Sequence, residues 1–296
     1  MKLTCVTATF NCIKAGNRDR LIRCVESVAK LKTEHEHLIY DGASTDGTAE
    51  LLSELEKKTP GLKVVSEPDT GIYNALNKGV RDAKGEWFYV LGADDYIFYP
   101  EVLDSIIDEV QSDDGIDAIV TTVRKQTSSG EEEWFTDMSQ LNHIFVGPCV
   151  CHQGELLRTV VVRKLGGFDE QYRIAADSDM LLKAHMMGIR FKYIFESFAY
   201  FSYGGAAVCN LELAMREHRL SVANVLGLND AETQKFVYVQ HLLPMGLLVK
   251  LVNHSDVCIR QSARRMVRTW LRLLLRIPLY PLVWATRPIR HSRKRI

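Results

Sequence analysis

Two adjacent carboxylates, Asp94 and Asp95, follow an apolar run from Trp87 to Leu91. Neighbouring carboxylates repel one another, and a cation beside them relieves the repulsion and can hold a phosphate-bearing ligand. An isolated Asp-Asp pair is more often a solvated turn, so its surroundings decide the reading. Asp41 ends a second apolar run, His37 to Tyr40. A carboxylate there can accept hydrogen bonds from a nucleobase or ribose, although Asp-Gly is also a plain turn-former. Asp46 reads as a helix cap rather than a ligand contact. Gly71 allows close backbone approach or a left-handed turn. Asn77 suits a ligand contact or a bond to loop backbone equally. Asp177, taken alone, is a helix N-cap.

The elements that must position these groups follow from periodicity. Leu3 to Phe10 is rich in β-branched residues and reads as a buried strand, and Arg18 to Leu31 has helical spacing. Strands are predicted again at His37 to Tyr40, Leu62 to Ser66 and Glu86 to Leu91, with helices at 48–57 and 74–83 between them. Four strands alternating with three helices predict an α/β fold with a mainly parallel, Rossmann-like sheet. Ligands in such sheets bind beyond the carboxyl ends of the strands, and here Asp41, Glu67 to Gly71 and Asp94-Asp95 all fall on that edge. Further on, the pattern predicts a helix at 101–111, a strand at 118–123, a polar hairpin tip at Ser128-Ser129-Gly130, and strand and loop over 143–175. A helix at 177–187 and strand at 191–201 follow, after which the chain is mostly helical.

Four segments in this order resemble glycosyltransferase family 2, with its GT-A fold: Val6-Thr-Ala-Thr-Phe-Asn11, Asp41-Gly-Ala-Ser-Thr-Asp-Gly-Thr48, Glu67-Pro-Asp-Thr-Gly-Ile-Tyr-Asn-Ala-Leu-Asn-Lys-Gly79 and Leu91-Gly-Ala-Asp-Asp95. The resemblance covers roughly residues 1 to 205. It implies a nucleotide pocket lined by Thr7, Thr9 and Asn11, with Asp41 on the base, and donor contacts from Gly71 and Asn77. It also implies that Asp94 holds Mg²⁺ or Mn²⁺ against the donor diphosphate while Asp95 orients the donor sugar or metal water. Gly92 departs from the family, standing where the first carboxylate of its DxD motif falls. Gly166-Gly-Phe-Asp-Glu170 and Ala175-Ala-Asp-Ser-Asp179 resemble the acceptor-side motif, which places Asp177 as general base; Ala176 stands where a supporting Glu is usual. Cys151-His152-Gln153 resembles a segment preceding the acceptor site, so His152 and Gln153 become acceptor-side candidates, a core histidine being the plain alternative. Tyr203-Gly204-Gly205 looks like a loop closing over the donor.

The expected organisation is a nucleotide-sugar-binding half at 1–100, an acceptor-binding and catalytic half at 101–208, and a basic helical extension at 209–296. The expected reaction is inverting transfer of one sugar from a nucleotide diphosphate, by default UDP, to a hydroxyl of a lipid-linked saccharide in surface polysaccharide synthesis. A catalytically silent sugar-nucleotide-binding subunit and a nucleotidyltransferase are the alternatives.

The charge of the chain is zero by cancellation. Lys and Arg number 37, as do Asp and Glu, yet residues 256–296 hold eleven basic residues and one acidic one. Arg264, Arg268, Arg272 and Arg276 share a helical stripe, with Met266, Val267, Trp270, Leu271, Leu274 and Ile277 covering the rest before Pro278 and Pro281. That pattern fits an amphipathic helix lying on an anionic membrane surface; a core-packed helix with a solvated arginine face is the bland alternative. A nucleic-acid partner is not expected, because no aromatic stacking platform or recognition motif accompanies the charge. The seven cysteines form no CxxC pair and read as reduced core thiols. With no signal-peptide pattern and no long uncharged apolar run, the expected location is cytoplasmic, peripheral to the membrane.

Overall fold

The computed structural model describes residues 1–111, 115–127, 130–134, 144–145, 151–202, 210–237, 243–255 and 257–276. The first half alternates β1 (Leu3–Thr9), α1 (Arg18–Val28), β2 (His35–Asp41), α2 (Thr48–Lys58), β3 (Leu62–Ser66), α3 (Ile72–Asp82) and β4 (Trp87–Val90). Next come β5 (Tyr96–Ile97), α4 (Pro100–Gln111), β6 (Ala118–Thr127), β7 (Gly130–Trp134), a 3₁₀ turn (His152–Gly154), β8 (Glu155–Arg158), α5 (Thr159–Lys164), α6 (Ala176–Met186) and β9 (Phe191–Phe201). Helices α7 (Leu211–Val225), α8 (Asp230–Lys235), α9 (Met245–Val252) and α10 (Val257–Arg276) complete the described chain.

Among the described residues, nine strands form one mixed sheet, ordered β3-β2-β1-β4-β8-β6-β9-β5, with β7 paired to β6. β1 lies in parallel register between β2 and β4, and helices cover both of its faces. That explains why Leu3–Thr9 reads as a continuous apolar and β-branched run rather than an alternating one. On one face, Cys24 and Val28 of α1 and Leu103, Ile106 and Val110 of α4 pack over Cys5, Trp87 and Tyr89. On the other, Tyr73, Leu76 and Val80 of α3 meet Val161 and Val162 of α5 and Met180 of α6 over Val6 and Phe88. This sandwich fixes the carboxyl ends of β1, β2, β3 and β4 along one edge.

One feature makes the mainly parallel sheet mixed, as the GT-A resemblance implies, and one departs from the sequence expectation. Strand β8 enters antiparallel between β4 and β6, so the parallel run ends at β4. The β-branched stretch after it is helical: Arg163 of α5 donates to the carbonyls of Val80, Arg81 and Ala83 at the end of α3, an anchor that a strand would not supply. Tertiary contact here overrides local propensity.

The C-terminal helices build a third cluster, in which Ile259, Ala263 and Met266 of α10 and Leu248 and Leu251 of α9 surround Leu182 of α6. Met266 therefore faces the core, not lipid. Arg264, Arg268 and Leu271 point outward. Among the described residues no helix is long and apolar enough to cross a membrane. The loop at 203–205, Pro278, Pro281 and the basic residues from Arg287 onward lie outside the described residues, as do the Ser128-Ser129 tip and the side chains of Arg272 and Arg276. Cys5, Cys12, Cys24 and Cys151 are free thiols.

Candidate active site

The turn after β4 separates its two carboxylates into different environments. Asp95 is only 2% exposed. It accepts from Gln153 Nε2 at 2.7 Å and from the Ser202 N–H at 2.8 Å. Burial and the neighbouring Asp94 push its carboxyl up to about 6, against the pull of those two donors. Both oxygens of Asp95, expected to orient donor sugar or metal water, are thus engaged within the protein. Asp94 is half-exposed, its backbone carbonyl held by the Ser202 hydroxyl and no described side chain bonded to its carboxylate. Gly92 has a packing reason to be glycine: a Cβ there would lie 2.5 Å from Asp95 Oδ2 and 3.2 Å from Asp94 Oδ1. The space that a first DxD carboxylate would need is already filled by the third and fourth residues of the turn.

At the ends of β1 and β2 the expected pocket residues prove to be its scaffold. Thr7 has no exposed surface; its hydroxyl donates to Leu91 O at 2.8 Å and meets His37 Nε2 at 3.0 Å. Burial drives the His37 imidazole down to about 3, so it is neutral. Thr7 cannot touch a ligand. Thr9 is also buried, its hydroxyl against the Cys12 thiol. Asp41 is 1% exposed, with both oxygens taken by the Ser44 N–H (2.9 Å), the Ser44 hydroxyl and the Ser66 hydroxyl (2.6 Å). A base could reach Asp41 only by displacing those donors. Asn11 sits at φ +47°, its Oδ1 accepting from the Thr45 N–H at 3.0 Å and its own N–H donating to Ser44 Oγ at 2.7 Å. Asp46 stands one residue before the N-cap of α2, Gly47, and accepts from the Lys14 and Thr48 N–H groups.

The surface over this scaffold comes from residues that periodicity did not single out. Phe10 is 63% exposed at the end of β1. A Cβ on Gly42 would meet Asp69 Oδ2 at 2.8 Å and the Phe10 ring at 3.2 Å, so aromatic face and carboxylate are neighbours. Asp69 also accepts from the N–H of Gly71, whose φ of +139° starts α3. Phe10 was legible only as an apolar residue ending a strand. Asn77 donates to Phe168 O and Glu170 Oε1 and accepts from the Phe168 N–H, clasping the Gly166-Gly167 turn to α3. Both of its amide hydrogens are engaged in that clasp.

Asp177 is the second residue of α6, not its N-cap. The cap residue, Ala175, has no side-chain bond to offer. Buried Glu217 of α7 accepts instead from the N–H groups of Arg173, Ile174 and Ala175. The Tyr73 hydroxyl meets those of Ala176 and Asp177. With the helix start satisfied from α7 and α3, the Asp177 carboxylate is left to point outward, its side chain 26% exposed. Oδ1 takes the Ser178 N–H at 2.8 Å and Oδ2 the His152 Nδ1–H at 3.1 Å. Asp179 turns away, bonded to Lys183 at 2.6 Å and Ser221 at 2.7 Å. Burial lowers the His152 pKa, but the hydrogen bond and charge of Asp177, with Asp95 and Glu155 beyond, outweigh it and hold it above the ordinary value. Glu155, the next strand's first residue, is buried, and burial with the charge of Asp177 pushes it up to about 8.

The segments that carry Asp94 and Asp177 are joined through the 3₁₀ turn His152–Gly154. Asp95 beside the first and His152 on the second are linked through consecutive residues, Gln153 and His152. Among the described residues no three His, Cys, Asp or Glu side chains are grouped to hold a metal. A lone outward carboxylate fits a divalent ion that keeps its waters and arrives on a substrate diphosphate, the habit of Mg²⁺.

A mixed sheet with this carboxylate edge is the GT-A architecture of nucleotide-sugar enzymes. Residues 4–195 match the profile "Glycosyl transferase family 2", and the chain belongs to that family. It is 28% identical over 188 residues to chondroitin synthase of Escherichia coli, covering 62% of this chain and 26% of that one. It is 26% identical over 163 residues to the PGL/p-HBAD biosynthesis glycosyltransferase of Mycobacterium bovis, covering 54% of this chain and 62% of that one. The chain spans about a quarter of the first relative's length. In fold it is similar to S. aureus TarS 1-349 in complex with UDP-GlcNAc (TM-score 0.60, 18% identity, 90% of this chain and 83% of that one). It is equally similar to mannosyltransferase PcManGT from Pyrobaculum calidifontis in complex with GDP-Man and Mn²⁺ (TM-score 0.60, 16% identity, 95% and 82%).

Proposed function

We propose that the chain is an inverting glycosyltransferase that moves one sugar from a nucleotide diphosphate, with UDP as the default, to a hydroxyl of a saccharide acceptor. The observation that carries this reading is the division of labour between two outward carboxylates tied through one turn: Asp94 without a bond from any described side chain, and Asp177 held by His152. Asp177 takes the proton of the acceptor hydroxyl. The freed oxygen pair forms the new bond to the anomeric carbon, and the bond from that carbon to the diphosphate breaks with its electrons on the departing oxygen. A bound Mg²⁺ or Mn²⁺ on Asp94 would neutralise charge on that leaving group. Exposed Phe10 gives the base a stacking face, and Asp69 beside it a hydrogen-bond acceptor. The neighbouring structures with UDP-GlcNAc and with GDP-Man and Mn²⁺ support a nucleotide-sugar donor and a divalent ion.

The acceptor in this reading is lipid-linked and belongs to surface polysaccharide synthesis, with α10 holding the enzyme against the inner face of the cytoplasmic membrane. Outward Arg264 and Arg268 beside exposed Leu271 support it, as does the basic composition of 256–296. A silent sugar-nucleotide-binding subunit remains the second reading, favoured by the internal engagement of Asp41 and Asp95. A thermal-shift screen of UDP-glucose, UDP-galactose, UDP-GlcNAc and GDP-mannose with Mn²⁺ tests both. Stabilisation by one donor, rising as RT ln(1 + [L]/Kd), together with its slow hydrolysis, is the expected result. Stabilisation without any turnover, even with added acceptors, favours the silent subunit; no stabilisation by any donor contradicts both.

A further inference from the structure

Consecutive side chains of the 3₁₀ turn His152–Gly154 bond Asp177 and Asp95, the neighbour of Asp94. Gln153 is 2% exposed, too enclosed to meet an acceptor, and spends its amide N–H on Asp95. His152 spends Nδ1–H on Asp177. The turn itself is pinned from two strands. Tyr89 of β4 donates its hydroxyl to Gln153 O at 3.0 Å, and Thr121 of β6 donates to Gly154 O at 3.2 Å. A Cβ on Gly154 would stand 2.8 Å from Thr121 O, so the turn is pressed against β6. Side chains locked by packing and outer hydrogen bonds are what hold a reacting group within the tolerance that catalysis needs.

We propose that His152 is a positioning residue: paired with Asp177 and fixed by the pinned turn, it holds the base at a set place relative to the Asp94–Asp95 turn, which Gln153 fixes from the adjacent position. This rests on Asp177 being the base. Three acids act on His152: Asp177 from α6, Asp95 from the loop after β4 and Glu155 from β8, while Lys125 of β6 acts on the adjacent Cys151. The pull of the three acids, with the Asp177 hydrogen bond, holds the imidazole's affinity for a proton above the ordinary histidine value, and its Nδ1–H donates to Asp177.

The test uses the full chain and two readouts. Histidine ring signals, assigned with His152→Asn, are followed by NMR against pH in the wild type and in Asp177→Asn. His152 should titrate above the ordinary histidine value in the wild type and fall below it in Asp177→Asn, where burial acts with one less carboxylate. A titration unchanged by Asp177→Asn overturns the pairing. Hydrolysis of whichever of the four nucleotide sugars above turns over fastest with Mn²⁺ is then measured. His152→Ala should lower kcat by about 10²-fold, the scale of a small misplacement, with KM for the donor moved little. His152→Asn, which keeps a donor near Nδ1, should recover part of that loss. Equal kcat in all three proteins overturns the positioning role even when Asp177→Asn is inactive. An active Asp177→Asn would instead remove the base assignment on which the role rests.

Discussion

At the residue scale the site is decided by which carboxylates are already spoken for. Asp41 and Asp95 lie on the expected edge and Asp46 at the start of α2, yet each spends its oxygens on backbone, hydroxyl or amide groups. Asp94 and Asp177 are partly exposed, and no described side chain bonds the Asp94 carboxylate. Sequence shows that acidic residues end the strands; it does not show which acquire internal donors, because Ser66, Gln153 and Ser202 come from other segments. Thr7 was misplaced for a related reason: a strand buried on both faces gives no alternation to tell inward from outward. Gly92 makes a sharp prediction. Gly92→Asp restores the family's first carboxylate in sequence, but its Cβ would strike Asp95 Oδ2. The substitution should cost about 1–3 kcal/mol of stability and lower activity, as urea titration and donor hydrolysis would show. A gain in Mn²⁺ affinity with unchanged stability would contradict this account of the turn.

At the element scale the parallel half was legible from periodicity alone, since each strand and helix there carries its own apolar face. The antiparallel insertion of β8 and the helical state of Thr159–Lys164 were not, because both depend on α3 and β6 partners distant in sequence. β8 also brings a buried acid beside the site. Unfolded Glu155 ionises near its ordinary value of 4.5, and the folded one near about 8. Between those values folding takes up a proton, so this group's contribution to stability falls as pH rises. Glu155→Gln abolishes that term. Relative to the wild type it should gain stability between about pH 5 and about pH 8, by a few kcal/mol at most. Urea denaturation at both pH values measures it, and a difference that does not grow with pH would contradict the buried-acid reading.

At the scale of the whole molecule, the charge asymmetry read from the sequence has a structural counterpart in part only. The inward residues of α10, Ile259, Ala263 and Met266, close the third core cluster, so removing residues 256–296 would expose that core as well as remove charge. The membrane proposal is better tested with Arg264→Ser and Arg268→Ser together. At about 1 kcal/mol for each arginine near an anionic surface, vesicle affinity should fall about thirtyfold in flotation assays with phosphatidylglycerol vesicles. Unchanged affinity would contradict attachment through this face.

The central claim is that two outward carboxylates in one site have separate tasks, Asp94 toward the diphosphate and Asp177 toward the acceptor. Calorimetric titration of UDP and of GDP, each with and without Mn²⁺, into the wild type, Asp94→Asn and Asp177→Asn tests it most directly. The account predicts that Mn²⁺ strengthens binding of one nucleotide in the wild type and in Asp177→Asn, and that Asp94→Asn loses this gain. Loss of the Mn²⁺-dependent gain in Asp177→Asn, or its survival in Asp94→Asn, would contradict it.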